Sequence, residues 1–145
     1  MNALLETFDI TTLIAAALKV RESAYSPYSG FKVGAALMSR NRRIFTGCNI
    51  ESAAFSPTIC AERTAFANAI SEGYTDFIAI VIIGGLEDVD IISEFCYPCG
   101  VCRQFMAEFC NSDFYVIVAI DMENWRQHTL GELLPNAFGK KDLSN

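Results

Sequence analysis

Two short cysteine motifs constrain this chain more than any other feature of it: Cys60-Ala61-Glu62-Arg63, and further on Pro98-Cys99-Gly100-Val101-Cys102-Arg103-Gln104. Cys99 and Cys102 have the spacing with which two thiolates grip one ion. Cys60 can add a third sulfur from a separate segment, which leaves the fourth tetrahedral position open. A fold carrying these motifs must bring two distant segments to one point. Glu62 stands close enough to a ligand to act on a metal-bound water without ligating the metal itself. The pattern is that of a catalytic zinc site, with one zinc ion per chain, rather than a structural one.

The other thiols fit a reduced protein. At 145 residues and 52% hydrophobic content the chain can bury its own core as one domain, 1–145, without disulfide staples. Met1 to Glu6 lacks the basic-then-apolar pattern of a secretory signal, and the apolar run over 77–83 is too short to cross a bilayer, so a cytoplasmic protein is expected. Six cysteines are then reduced or metal-bound rather than paired. Cys110 reads as a small core residue. Cys96 reads as a free loop thiol, near enough to the metal loop to compete as a ligand. A net charge of −6 argues against holding a nucleic acid polymer, and the one basic cluster, Arg40, Arg42 and Arg43, reads as a solvated hairpin turn.

Hydrophobic periodicity predicts a first helix capped by Asp9 or Thr11 and stopped by Ser26-Pro27, then a hairpin with strands over 31–39 and 43–48. A helix over 59–71 follows, ended by Gly73. A continuously apolar strand over 77–83, ended by Gly84-Gly85, has the character of a central strand covered on both faces. A second helix over 100–110, a strand over 115–120, a weaker one over 125–128 and a short helix opened by Thr129 or Gly131 complete the chain. The order predicts an α/β fold: a three-layer α/β/α domain around a central mixed sheet. Cys60 and Cys99 both fall at helix starts, where positive helix ends favour thiolates.

Beyond the two motifs, Tyr28 to Ala36, Gly47-Cys48-Asn49-Ile50-Glu51 and Glu132 to Phe138 resemble the small homotetrameric zinc-dependent cytidine deaminases, and the likeness runs along nearly the whole chain. That resemblance implies hydrolytic deamination of cytidine and deoxycytidine in pyrimidine salvage, with zinc-bound hydroxide attacking C4 and Glu62 shuttling protons. It implies that Asn49 and Glu51 hold the ribose, that Phe31 contacts the nucleoside and that the Ala61 backbone reads the base edge. Phe138 would stack on the base from a neighbouring subunit, so active sites would be shared in a homo-oligomer. Arg63 would donate to ligand sulfurs, offsetting the net charge of about −1 on a three-thiolate zinc, and Gln104 would assist it. Arg103 is either a further partner of the sulfurs or a surface charge. Phe55, Tyr97 and Ser52 depart from the family pattern. His128, a lone histidine in a weak strand, stays outside the site. Two other readings are a deaminase of polynucleotides or modified nucleosides, and a redox Cys-x-x-Cys module.

Overall fold

A computed structural model describes residues 5–144; Met1 to Leu4, part of the stretch read above for an export signal, lie outside the described residues. Ten elements follow in order: α1 (Thr7–Arg21), β1 (Phe31–Ser39), β2 (Ile44–Cys48), α2 (Ala61–Ser71), β3 (Phe77–Leu86), α3 (Gly100–Phe109), β4 (Tyr115–Ala119), β5 (Trp125–Thr129), α4 (Leu130–Leu133) and α5 (Lys140–Leu143). The strands form one mixed sheet in the order β2-β1-β3-β4-β5. β1 runs antiparallel to both β2 and β3, β4 lies parallel to β3, and β5 returns antiparallel.

Two apolar clusters cover the two faces. Ile10, Leu13, Ile14 and Ala17 of α1 pack on Ala36, Val81, Ile83 and Ile117. Ala65 and Phe66 of α2 and Cys102 and Met106 of α3 pack on Leu37, Ile80, Ile82 and Val116. The three layers are thus α1, sheet, and α2 with α3. Eight successive residues of β3 are buried, because helices cover both of its faces.

Several local readings are corrected. α1 begins earlier than Asp9, with Glu6 as N-cap and Asp9 completing a reciprocal capping box at N3, and it ends at Arg21, well before Ser26-Pro27. β3 continues through Gly84-Gly85 to Leu86, because Gly85 and Leu86 still pair with Lys32 and Phe31. Gly84 is there for space: a Cβ would lie 2.9 Å from Cys96 Sγ. The arginines of the β1–β2 turn are ion-paired rather than merely solvated, Arg40 to Asp76, Arg42 to Asp9 and Arg43 to Glu72. The short α5 had no signal in the periodicity.

Topology then decides where the two motifs meet. β2 and β3 are each antiparallel to the β1 between them, so they point the same way and their C-terminal ends share one edge of the sheet. The segments leading to α2 and α3 leave from that edge, where open α/β sheets place their ligand sites.

Candidate active site

Cys60 and Cys99 are the N-cap residues of α2 and α3, both in extended conformation (φ −74°, ψ 155° and φ −69°, ψ 167°), and neither side chain caps its helix. Their sulfurs are therefore turned to other use. Cys102 occupies the third helical position of α3, so the Cys-x-x-Cys spacing becomes N-cap plus N3 at one helix start. Cys60 Sγ and Cys99 Sγ lie 3.9 Å apart, and all three sulfurs fall within 4.8 Å of one another. Zinc–sulfur bonds of about 2.3 Å at tetrahedral angles require sulfurs about 3.8 Å apart, so the donor set fits zinc. The six cysteines are all free thiols. Cys96, the competing candidate, is absent from this group; it packs against the core and its thiol is pushed up to about 12, chiefly by burial.

α2 reaches the site by close packing. Gly47 of β2 lies under its first turns, where a Cβ would meet Ala65 N at 2.3 Å and Ala61 O at 2.6 Å. Ala61 is fully buried and Glu62 only 5% exposed, with its carboxyl pushed up to about 7, chiefly by burial and further by the Cys60 sulfur, against the opposing pull of Cys102 and Arg63. Glu62 thus combines enclosure with a proton affinity near neutrality, the property of a group that takes and gives protons. Cys60 is drawn down to about 5 by its hydrogen bond with Cys102 and then by Arg63, while Cys102 moves up as the partner that keeps its proton. Arg63 donates to Cys60 Sγ at 3.7 Å and to Thr58 O at 3.5 Å.

The remaining predicted residues are held in different ways. Phe31 begins β1, 37% exposed. Buried Asn49 accepts from Val33 N and donates to Phe31 O, both at 2.8 Å, so its amide is locked to β1. Glu51 accepts from the backbone N–H groups of Tyr28 and Ser29 and from the Ser29 hydroxyl, and that hydroxyl holds its carboxyl below its ordinary range. Phe138 is 60% exposed. Gln104, exposed on α3, donates to Phe138 O at 2.8 Å. Arg103 matches neither reading offered for it, because its guanidinium bridges Pro98 O at 2.7 Å and Leu133 O at 2.8 Å. His128 lies apart from the sulfurs but meets Tyr97, a contact that the sequence left undetected because β5 is short and polar.

A layered α/β domain with three thiols and an enclosed carboxyl gathered at two convergent helix starts defines an open, three-ligand zinc site of catalytic type. The chain belongs to the family described as the cytidine and deoxycytidylate deaminase zinc-binding region, whose model matches residues 9–118. It is 46% identical over 136 residues to a cytidine deaminase of Sporosarcina psychrophila, covering 94% of this chain and 96% of that one. To a cytidine deaminase of Halalkalibacterium halodurans it is 41% identical, covering 94% and 99%. The solved cytidine deaminase of Burkholderia pseudomallei superposes with a TM-score of 0.79 at 41% identity, covering 88% of this chain and 97% of that one.

Proposed function

We propose that this chain hydrolyses the exocyclic amino group of cytidine and deoxycytidine, giving uridine or deoxyuridine and ammonia in nucleoside salvage. The enclosed Glu62 beside the three gathered sulfurs carries this reading. Cys60, Cys99 and Cys102 would hold zinc, which supplies Lewis acidity and makes a hydroxide-like nucleophile available at neutral pH. Glu62 accepts the proton given up as water becomes nucleophile, passes it to ring N3, then takes the proton of the new hydroxyl at C4 and gives it to the departing amino nitrogen as the C4 carbonyl forms. The net change is one water consumed and one ammonia released. Arg63 draws charge from the Cys60 sulfur, which keeps a three-thiolate centre from becoming too electron-rich to acidify water.

Asn49 and Glu51 serve the sugar. Each is already fixed by backbone bonds, and each keeps acceptor capacity, with one amide hydrogen free on Asn49, for vicinal hydroxyls. Phe31 contacts the nucleoside, and the Ala61 backbone at the start of α2 reads the base edge. Exposed Phe138 stacks in the site of a neighbouring copy, in a homotetramer with shared sites. The net charge of −6 accords with a small-molecule substrate rather than a nucleic acid polymer, and a cytoplasmic setting goes with the salvage role proposed.

Purified protein added to cytidine should lower its ultraviolet absorbance with stoichiometric ammonia release, while carrying one zinc per chain. Absence of turnover in a zinc-loaded sample sinks the reading. Sharing of sites has its own test: mixing inactive Glu62→Ala with Phe138→Ala subunits should restore activity through hybrid sites, and a mixture no more active than its parts refutes it.

A further inference from the structure

The two arms that deliver sulfurs to the site are held in different ways. The arm ending at Cys60 is backbone-paired, with Ile50 N to Ile59 O and Ile59 N to Ile50 O both at 3.0 Å. The arm ending at Cys99 has no such support: among the described residues, no backbone–backbone hydrogen bond joins 90–98 to any other part of the chain. Cys99 and Gly100 are also exposed. Yet its Sγ must sit within a few tenths of an ångström of its place for tetrahedral coordination.

Side chains of the β5–α4 unit supply what the backbone lacks. The guanidinium of Arg126 lies 4.4 Å from the Phe95 ring centre. Two residues on, His128 Nε2 is 3.2 Å from the Tyr97 hydroxyl and the two rings sit 5.4 Å apart. Arg126 and His128 share one face of β5 by strand alternation. The strap and the strand therefore meet as two matched rungs, 95 on 126 and 97 on 128. Glu132 of α4 stands behind the second rung, its carboxylate 3.7 Å from His128 Nδ1 and accepting from the Thr129 hydroxyl at 3.1 Å. Arg103 closes the unit by joining Pro98 O to Leu133 O.

We propose that His128, acting through the Tyr97 hydroxyl, is a positioning residue for zinc: it moors the strap 95–99 to the edge strand β5 and so fixes the Cys99 sulfur. It touches no ligand sulfur and takes no part in proton transfer. The Tyr97 hydroxyl is the mooring point on the strap, two residues before Cys99. The proposal rests on the zinc reading of the three thiols.

Tyr97→Phe removes only the hydroxyl, and His128→Ala removes its partner. One hydrogen bond contributes about 0.5–1.5 kcal/mol, so zinc loss to a colorimetric chelator should quicken about twofold to tenfold in either variant, with kcat/KM for cytidine reduced similarly. Because both delete one interaction, the double variant should lose zinc no faster than the faster single one, while His128→Gln, which keeps a polar atom near the Nε2 position, should recover most of the retention. Circular dichroism and thermal midpoints confirm that each variant is folded. Wild-type zinc retention in both single variants, or additive effects in the double, overturns the mooring and leaves the zinc reading intact; a wild-type protein that binds no zinc removes both.

Discussion

The starts of α2 and α3 are written in nearly the same local grammar, a cysteine N-cap, a short turn and an arginine, but their surroundings make them different devices. At α2 the first turn is buried: Ala61 is inaccessible, Glu62 nearly so, and Gly47 lets the helix sink onto β2. At α3 the outer side of the first turn is open, with Cys99, Gly100 and Val101 exposed and only Cys102 buried. In the proposed reaction, burial fits Glu62 to carry protons, which puts the acid–base chemistry on α2. Openness leaves α3 to supply sulfurs and nothing that must be shielded from water. The arginines divide likewise: Arg63 faces a sulfur, while Arg103 faces two carbonyls.

The sharpest way to break this contrast is Glu62→Ala. Acid–base help of this kind contributes about 10²- to 10⁴-fold, so turnover should fall by at least that factor with zinc still bound, as measured by steady-state rates beside metal analysis. Comparable activity in that variant would mean the buried start carries no chemistry. Cys102→Ala should instead act on the metal, leaving a protein that loses zinc on dialysis against a chelator and is inactive as a consequence.

The packing difference gives a matched pair of glycine tests. Gly47→Ala drives a methyl into the backbone of α2, and overpacking of this kind costs about 1–3 kcal/mol, visible as a lowered denaturation midpoint. Gly100→Ala meets nothing within 4 Å and removes a helix-unfavourable residue, so its midpoint should be unchanged or slightly raised. Equal effects at the two positions would erase the distinction between a sunk and an open helix start. Smallest of all, Arg43→Ala removes an exposed pair with Glu72 together with contacts to Tyr74 and Phe45, and should lower the midpoint only slightly, with the ion-pair part vanishing at high salt.

The cysteine spacing and the helix starts made the metal centre legible, because ligand geometry is encoded locally and the alternation of strands and helices fixes which ends converge. What stayed hidden depends on contacts between segments far apart in the chain. Nothing near Gln104 in the sequence says that its amide reaches Phe138, and nothing near Arg103 says that it bridges to Leu133. The extension of β3 through Gly84 was obscured for a similar reason, since a double glycine reads as a stop until Cys96 is seen occupying the space. His128 looked idle because its partner is a loop tyrosine rather than anything on its own strand.

The sheet order has one more consequence, for how copies of the chain can meet. Its margins are β2 and β5, and exposed margins are where foreign strands add on and aggregation begins. Here the Thr46 carbonyl on one margin is occupied by the Asn68 amide of α2, and the other margin carries the cationic Arg126. Each margin thus carries a feature that disfavours ribbon extension, an occupied carbonyl on β2 and a cation on β5.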